Sequence, residues 1–406
     1  MSKCIGGAVR FIQNRSAVSI LVANIGSTSF KYRLFDEDAS TVLAQGRVER
    51  IGQPGSGCPD YDSAIRQCTA ALTAAGGPLR RLDDLAAIGF KAVHAGPLGG
   101  ARLVDDRVLA AMEEYAFLAP AHNPPYIAAM RSFRRTLPGT PLVALFETAF
   151  FDGLDEAATT YAVPYAWRDE LGVRRYGFHG ASHRAASERA RALVPRAGLR
   201  HVSCHLGGSS SVAGMRDGVA VETSFGFSPQ SGVPHNDRVG DMDVFAALFV
   251  MKRRGLDADA MARVLASQSG LAGLSGVSGD VRDLEAAAAT GHRRAQLALD
   301  VFVRAVRHHL GACLVVLGGI DVLTFSGGIG EHGAGVRAAV CAGLEELGIA
   351  LDEPANLAAR GEARVSSAAS RVPVFIVPAD EERIVARATR EVLASAAAAS
   401  GGGHGV

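Results

Sequence analysis

An apolar run that ends in a Gly/Ser tip occurs twice in this 406-residue chain, and the spacing of the two copies constrains the fold more than any other feature. Val18 to Ala23 leads into Asn24-Ile25-Gly26-Ser27-Thr28-Ser29, after which Phe30-Lys31-Tyr32-Arg33-Leu34-Phe35 alternates as a second strand does. Val202-Ser203-Cys204-His205-Leu206 leads likewise into Gly207-Gly208-Ser209-Ser210-Ser211. Gly26 aligns on Gly207, an offset close to half the chain. One hydrophobic core rarely organises so many residues. The repeat therefore predicts two related domains, each presenting one Gly/Ser loop to a shared cleft. Such turns also close ordinary hairpins, so the loops alone leave phosphate binding and plain chain reversal both open.

The clearest helix starts near Ala295, with apolar residues at Leu299, Phe302, Val306, Leu310, Cys313 and Leu317 in steps of three and four. Asp321 to Phe325 reads as a buried strand, Ser326-Gly327-Gly328-Ile329-Gly330 as a tight turn, and Val336, Val340, Leu344 and Leu347 as one helix face ending at Gly348. Strand, Gly-rich turn and helix in that order suit a nucleotide, because glycine lets the backbone approach a ligand closely.

Charged residues make up 20% of the chain, hydrophobic ones 48%, and the net charge is +1, which gives no sign of a nucleic-acid or membrane partner. Six cysteines without a Cys-x-x-Cys pair point to a reducing, cytoplasmic setting rather than a disulfide or zinc framework. The extension before Ala17 lacks the apolar core of a signal peptide, and the Ala/Gly-rich stretch from Ala394 is expected to be disordered.

Several ordered segments resemble the acetate kinase family: NIGSTSFKY (from Asn24), AHNPP (from Ala121), RRYGFHGASH (from Arg174) and HLGGSSS (from His205). ETSFGFSP (from Glu222), GVSGDVRDLEAA (from Gly276), SGGIGEH (from Ser326) and PADEE (from Pro378) follow in the same order, so the resemblance spans nearly the whole chain. It implies an α/β protein of two duplicated ribonuclease-H-like (actin-type ATPase) domains around a central cleft. The N-terminal domain would be 1–148, completed by 382–393, and the C-terminal nucleotide-binding domain 149–381, with 394–406 as the tail. The implied reaction is reversible, ATP- and Mg²⁺-dependent phosphorylation of a short-chain carboxylate to an acyl phosphate, in a homodimer.

By position, the resemblance implies Asn24 and Glu381 for Mg²⁺ and Lys31 for nucleotide phosphate. His205, Leu206, Gly207, Gly208 and Ser209 would form the second phosphate loop. Asp280, Val281 and Arg282, with Gly328, Ile329, Gly330, Glu331 and His332, would hold ATP. Glu147, His179 and Arg238 would be catalytic, and Lys91 would meet the acid. The chemistry fits those residue types: a carboxylate approaching a γ-phosphate must overcome about 4 kcal/mol of repulsion at 4 Å and an effective dielectric near 20, so cations must be present. A carboxylate is already ionised at neutral pH and needs no general base. Bland roles compete for individual residues. Asp280 suits a helix cap, and His122 before Asn123-Pro124-Pro125 suits a fixed loop.

Four departures from the family pattern stand within the implied site. Lys91 replaces an arginine, Glu147 an aspartate, Gly208 the loop asparagine, and Asn236-Asp237 a Gly-Thr pair before Arg238. Lysine keeps the charge but loses the planar fork, and a longer Glu147 compensates if the two side chains face each other. Phe151, Pro97 and Leu98 suggest a more apolar acyl pocket, which makes propionate and butyrate alternative acids. The departures also motivate a different class, a catalytically weakened nucleotide-binding paralog acting as a sensor or partner protein.

Overall fold

The computed structural model describes residues 19–26 and 28–401, so Ser27, the extension before Ala17 and the last residues of the tail lie outside it. The chain divides into two compact units, Met1–Ala149 with Asp380–Val406, and Phe150–Ala379.

Unit one is built on a six-stranded sheet in the order β3-β2-β1-β4-β6-β5. Its strands are β1 (Ser19–Gly26), β2 (Ser29–Asp36), β3 (Val42–Glu49), β4 (Leu85–Ala92), β5 (Ala101–Leu103) and β6 (Leu142–Phe146). β1, β2 and β3 form an antiparallel meander, β1, β4 and β6 run parallel, and β5 closes the edge antiparallel to β6. Strands paired in parallel and covered on both faces should read as apolar runs, and Leu-Val-Ala-Leu-Phe of β6 is buried throughout. Phe30, Phe90 and Phe133 meet edge to face in the core, with ring centroids 5.7 and 5.4 Å apart.

The chain end returns to this unit as the helix Glu381–Gly401. A Cβ at Gly89 of β4 would lie 2.4 Å from Thr389 Oγ1 and 2.9 Å from Val385, so only glycine allows this helix to seat so closely. The helix corrects the expectation of disorder from Ala394: Ala394–Gly401 continue it. Propagation adds a hydrogen bond per residue to a helix already anchored on the sheet, and alanine is the best helix former.

Unit two repeats the plan with β7 (Arg200–Leu206), β8 (Ser210–Arg216), β9 (Val219–Thr223), β10 (Val322–Ser326), β11 (Ala363–Arg364) and β12 (Val374–Ile376). Its order β11-β12-β10-β7-β8-β9 is that of unit one read from the other edge, with the same pattern of parallel and antiparallel pairs. The offset that places Ser19 on Arg200 also places Ser29 on Ser210, so the sequence repeat is a repeat of strands. Helix Arg293–Leu317 covers this sheet through Ala295, Ala298, Phe302, Val306, Leu310, Cys313 and Leu317, and ends at Gly318 in the left-handed region.

Two local expectations change. Gly327 to His332 form a short helix directly after β10 rather than a tight turn, and the face expected to run from Val336 to Leu347 is broken after Cys341 into Ala334–Cys341 and a 3₁₀ turn. Glycine spacing marks where backbone approaches backbone, but it does not distinguish a turn from the first turn of a helix.

Candidate active site

In unit one, β-sheet register sets the first group of side chains. Asn24 and Lys31 stand opposite each other on β1 and β2, the first half-buried and the second exposed. Lys91 lies on β4, and Glu147 follows β6, where its amide donates to Ala92 O. Glu381 opens the C-terminal helix. The three converge: Lys91 Nζ is 2.7 Å from Glu381 Oε2 and 3.4 Å from Glu147 Oε1. Burial alone would lower the Lys91 pKa, but the Glu381 and Glu147 carboxylates outweigh it and hold the ammonium well above the ordinary lysine range. The ammonium donates to Glu381, and Glu147 lies within ion-pair distance of it.

Tyr126 joins this group, and nothing in the sequence singled it out. Its hydroxyl accepts from Ile25 N at 3.2 Å and lies 3.4 Å from Asn24 Oδ1. Burial raises its pKa, so it stays a neutral phenol. It is reached from helix Asn123–Thr136, whose first residue Asn123 donates to His94 O and Met112 O. The His122-Asn123-Pro124-Pro125 segment is therefore a helix start that fixes where Tyr126 points. Metal chemistry of this group is limited to hard oxygen donors, the Glu381 carboxylate and the Asn24 amide oxygen. Among the described residues no three His, Cys, Asp or Glu side chains cluster as a metal cage. One or two oxygens suit Mg²⁺, which keeps waters and phosphate oxygens in its shell.

In unit two, His179 caps helix Gly180–Leu193 in a left-handed conformation, φ 59° and ψ 29°, uncommon for a residue with a side chain. Its Nδ1 is 2.8 Å from Ser211 Oγ on β8, and the same hydroxyl is 2.8 Å from His183 Nε2. His183 Nδ1 is 3.0 Å from Ser203 Oγ. Burial, with His205 and His201 nearby, drives the His183 pKa well below the ordinary value, so that imidazole is neutral. The His205 ring lies 4.4 Å from that of His179 and its Nδ1 is 2.7 Å from Ser182 Oγ. His205 thus serves as a wall for His179. Arg238 donates to Pro229 O at 3.2 Å and has no carboxylate within salt-bridge distance among the described residues. Burial lowers its pKa, offset in part by Asp237.

The nucleotide residues expected from the sequence converge in part. A pocket of 480 Å³ is lined by Gly207, Gly208, Asp280, Val281, Arg282, Gly328, Ile329 and His332, together with Asn236, Glu285 and Gly333. Ser209 Oγ is buried beside that loop without a hydrogen-bond partner among the described residues, the kind of orphan that a ligand oxygen satisfies. Others of the set are placed elsewhere. Leu206 belongs to the core, Gly330 is buried with its carbonyl on Arg337, and Glu331 Oε1 accepts from Ala379 N. Asp280 does cap helix Val281–Ala289, accepting from Arg282 N, and its carboxyl is held low chiefly by the Arg282 side chain.

Phe151 departs from its expected role as an acyl-pocket residue. It is fully buried against Ala213, Met215 and Ala220, and its ring sits where a Cβ at Gly177 would be, 2.5 Å away, at a backbone φ of +74°. An aromatic ring so enclosed serves the core of unit two.

Three comparisons agree with this architecture. The Acetokinase family description matches residues 19–387. The chain is 39% identical over 396 residues to an acetate kinase of Clostridium botulinum strain Kyoto, covering 93% of this chain and 100% of that one. The crystal structure of Porphyromonas gingivalis acetate kinase superimposes with a TM-score of 0.83 at 35% identity, covering 93% of this chain and 100% of that one. A propionate kinase from Francisella tularensis does so with a TM-score of 0.84 at 28% identity, over 91% and 98%.

Proposed function

Given that the chain belongs to the acetokinase (acetate kinase) family and is a phosphotransferase with a carboxyl group as acceptor, we propose that it moves the terminal phosphoryl group of Mg²⁺-bound ATP, reversibly, onto acetate or a close homologue. The observation that carries the nucleotide side is the convergence of Gly207, Gly208, Asp280 to Arg282, Gly328, Ile329 and His332 on one pocket of unit two.

The acid arrives ionised, so the protein's task is charge management and alignment. Arg238, held by one carbonyl and by no carboxylate among the described residues, keeps its guanidinium fork for phosphoryl or carboxylate oxygens. His179, pinned by Ser211, offers a second fixed polar group toward the equatorial oxygens. Glu381 and Asn24 would hold the metal, which supplies charge neutralisation on the transferring group. Lys91, balanced by Glu381 and Glu147, would set its ammonium against the acid. The likeness to a propionate kinase supports the three-carbon acid as a second substrate.

Homodimer formation is part of the same reading. Helix Val244–Arg254 buries none of its residues in its own unit and exposes Val244 at 68%, Phe245 at 72% and Phe249 at 60%. A cytoplasmic location is part of the same reading, supported by the buried free thiols of Cys68, Cys204, Cys313 and Cys341. No helix among the described residues is long and apolar enough to cross a membrane.

The test is purified protein with ATP, Mg²⁺ and a panel of short acids, trapping acyl phosphate with hydroxylamine. Hydroxamate is expected with acetate or propionate, and Arg238→Ala should lower kcat by about 10²- to 10³-fold. ATP binding with no hydroxamate from any acid would overturn the reading in favour of a nucleotide sensor.

A further inference from the structure

The Gly207-Gly208 loop lacks a side-chain donor at position 208, and the space that such a side chain would enter is taken from elsewhere in the chain. A Cβ built on Gly208 would lie 3.2 Å from the amide Nδ2 of Asn236. The two residues are also joined through the backbone, where Asn236 N donates to Gly208 O at 3.3 Å. Asn236 is held from behind as well. Ala272 N donates to its carbonyl at 2.7 Å, and the carbonyl approaches to 2.6 Å of where a Cβ at Gly279 would stand, so Gly279 must be glycine for the segment to lie there. Its side-chain amide makes no hydrogen bond to protein among the described residues, yet it lines the same pocket as Gly207, Gly208 and Gly328. Asn236 is itself only half-buried, so this amide is open to the pocket. A rigidly held, uncommitted amide at the rim of a Gly-Gly loop, beside the unpartnered Ser209 Oγ, is a donor waiting for an anionic oxygen.

We propose that Asn236 is a nucleotide-phosphate-binding residue, supplying through space the amide that position 208 does not carry. The inference rests on the nucleotide reading of this pocket and extends it to a residue outside the recognised segments. The Gly at 208 and the Asn at 236 then form one exchange: the donor has moved from the loop to the chain segment that precedes Arg238.

Binding of ATP, ADP and adenosine to the full-length protein, measured by calorimetry, tests it. In Asn236→Ala the dissociation constants of ATP and ADP should rise about tenfold, as expected for one hydrogen bond to a charged group, while adenosine binds as before and KM for the acid is unchanged. Asn236→Asp, nearly isosteric, should weaken ATP most, ADP less and adenosine least, and serves should the alanine variant fail to fold. Gly208→Asn alone should also weaken ATP, because its Cβ crowds Asn236, and the pair Gly208→Asn with Asn236→Gly should regain most of the affinity. Unchanged ADP affinity in a folded Asn236→Ala, or equal weakening of adenosine, overturns the proposal. Failure of the unmodified protein to bind any adenine nucleotide overturns both it and the reading on which it rests.

Discussion

Lys91 Nζ lies 2.7 Å from Glu381 Oε2, so the cation expected to meet the acid is also the partner of the carboxylate expected to meet the metal. Glu147 Oε1, 3.4 Å from the same ammonium, completes a cluster in which two carboxylates share one positive charge. The side chains are largely buried, 20%, 13% and 4% exposed for Lys91, Glu381 and Glu147, so screening by solvent is weak. Removing one member would leave a buried charge uncompensated.

Lys91→Arg and Glu147→Asp should each lower kcat/KM by about tenfold and recover it together, since the longer cation needs the shorter anion at this separation. A coupling of about 1 to 3 kcal/mol in the double-mutant cycle is expected. Losses that simply add would refute compensation between the two positions.

Arg337 is fully buried, and its guanidinium donates to Gly330 O, Glu331 O, Asn356 Oδ1 and Asn356 O at 2.7 to 3.0 Å, without a carboxylate partner among the described residues. Arg337→Met should lower unfolding stability by about 3 kcal/mol, because several acceptors lose their donor inside the protein. Urea denaturation reads this directly, and a midpoint equal to that of the unmodified protein would contradict it.

His201 and His183 are buried neutral, His201 with its pKa pushed down to about 3 by burial and His183 driven well below its ordinary value of 6.5. Below pH 6.5 the unfolded chain takes up protons that the folded chain refuses, so stability falls as pH drops from 6.5 toward 3. Above 6.5 both states are neutral and these two groups contribute no slope. Each histidine should add about 1.4 kcal/mol per pH unit inside that window. His201→Asn should remove one share of the slope in melting experiments from pH 7 to 5, and an unaltered slope would show that His201 is not the source.

Phe245→Asp with Leu248→Asp on helix Val244–Arg254 should convert a dimer to a monomer by light scattering while leaving the circular dichroism spectrum intact. Both side chains are exposed within their own unit, so a charge there disturbs only what covers them. A dimer that persists in the double variant would move the interface elsewhere.

The strand repeat, the buried strand before Gly327 and the long helix Arg293–Leu317 were legible in the sequence because each is a local pattern: periodicity, turn residues and caps act over a few residues. The family was legible as well, through the order of the matching segments. Other features were not legible. Whether Gly327 begins a turn or a helix, and whether the alanines after Ala394 form a helix, depended on what lay beside them. The same holds for the site. The family resemblance pointed to Lys91, Glu147 and Glu381, but only the folded sheet brought an ammonium from β4 onto a carboxylate nearly three hundred residues away in sequence. Tyr126 carries no local mark, and Asn236 stood out only as a departure from the family pattern; their roles come from the partners that tertiary contacts give them, the Asn24 side chain for one and the vacant face of Gly208 for the other. Short-range sterics decide which elements form. Which side chains share a charge, a proton or a ligand is decided by long-range packing, which fixes distances that sequence spacing does not contain.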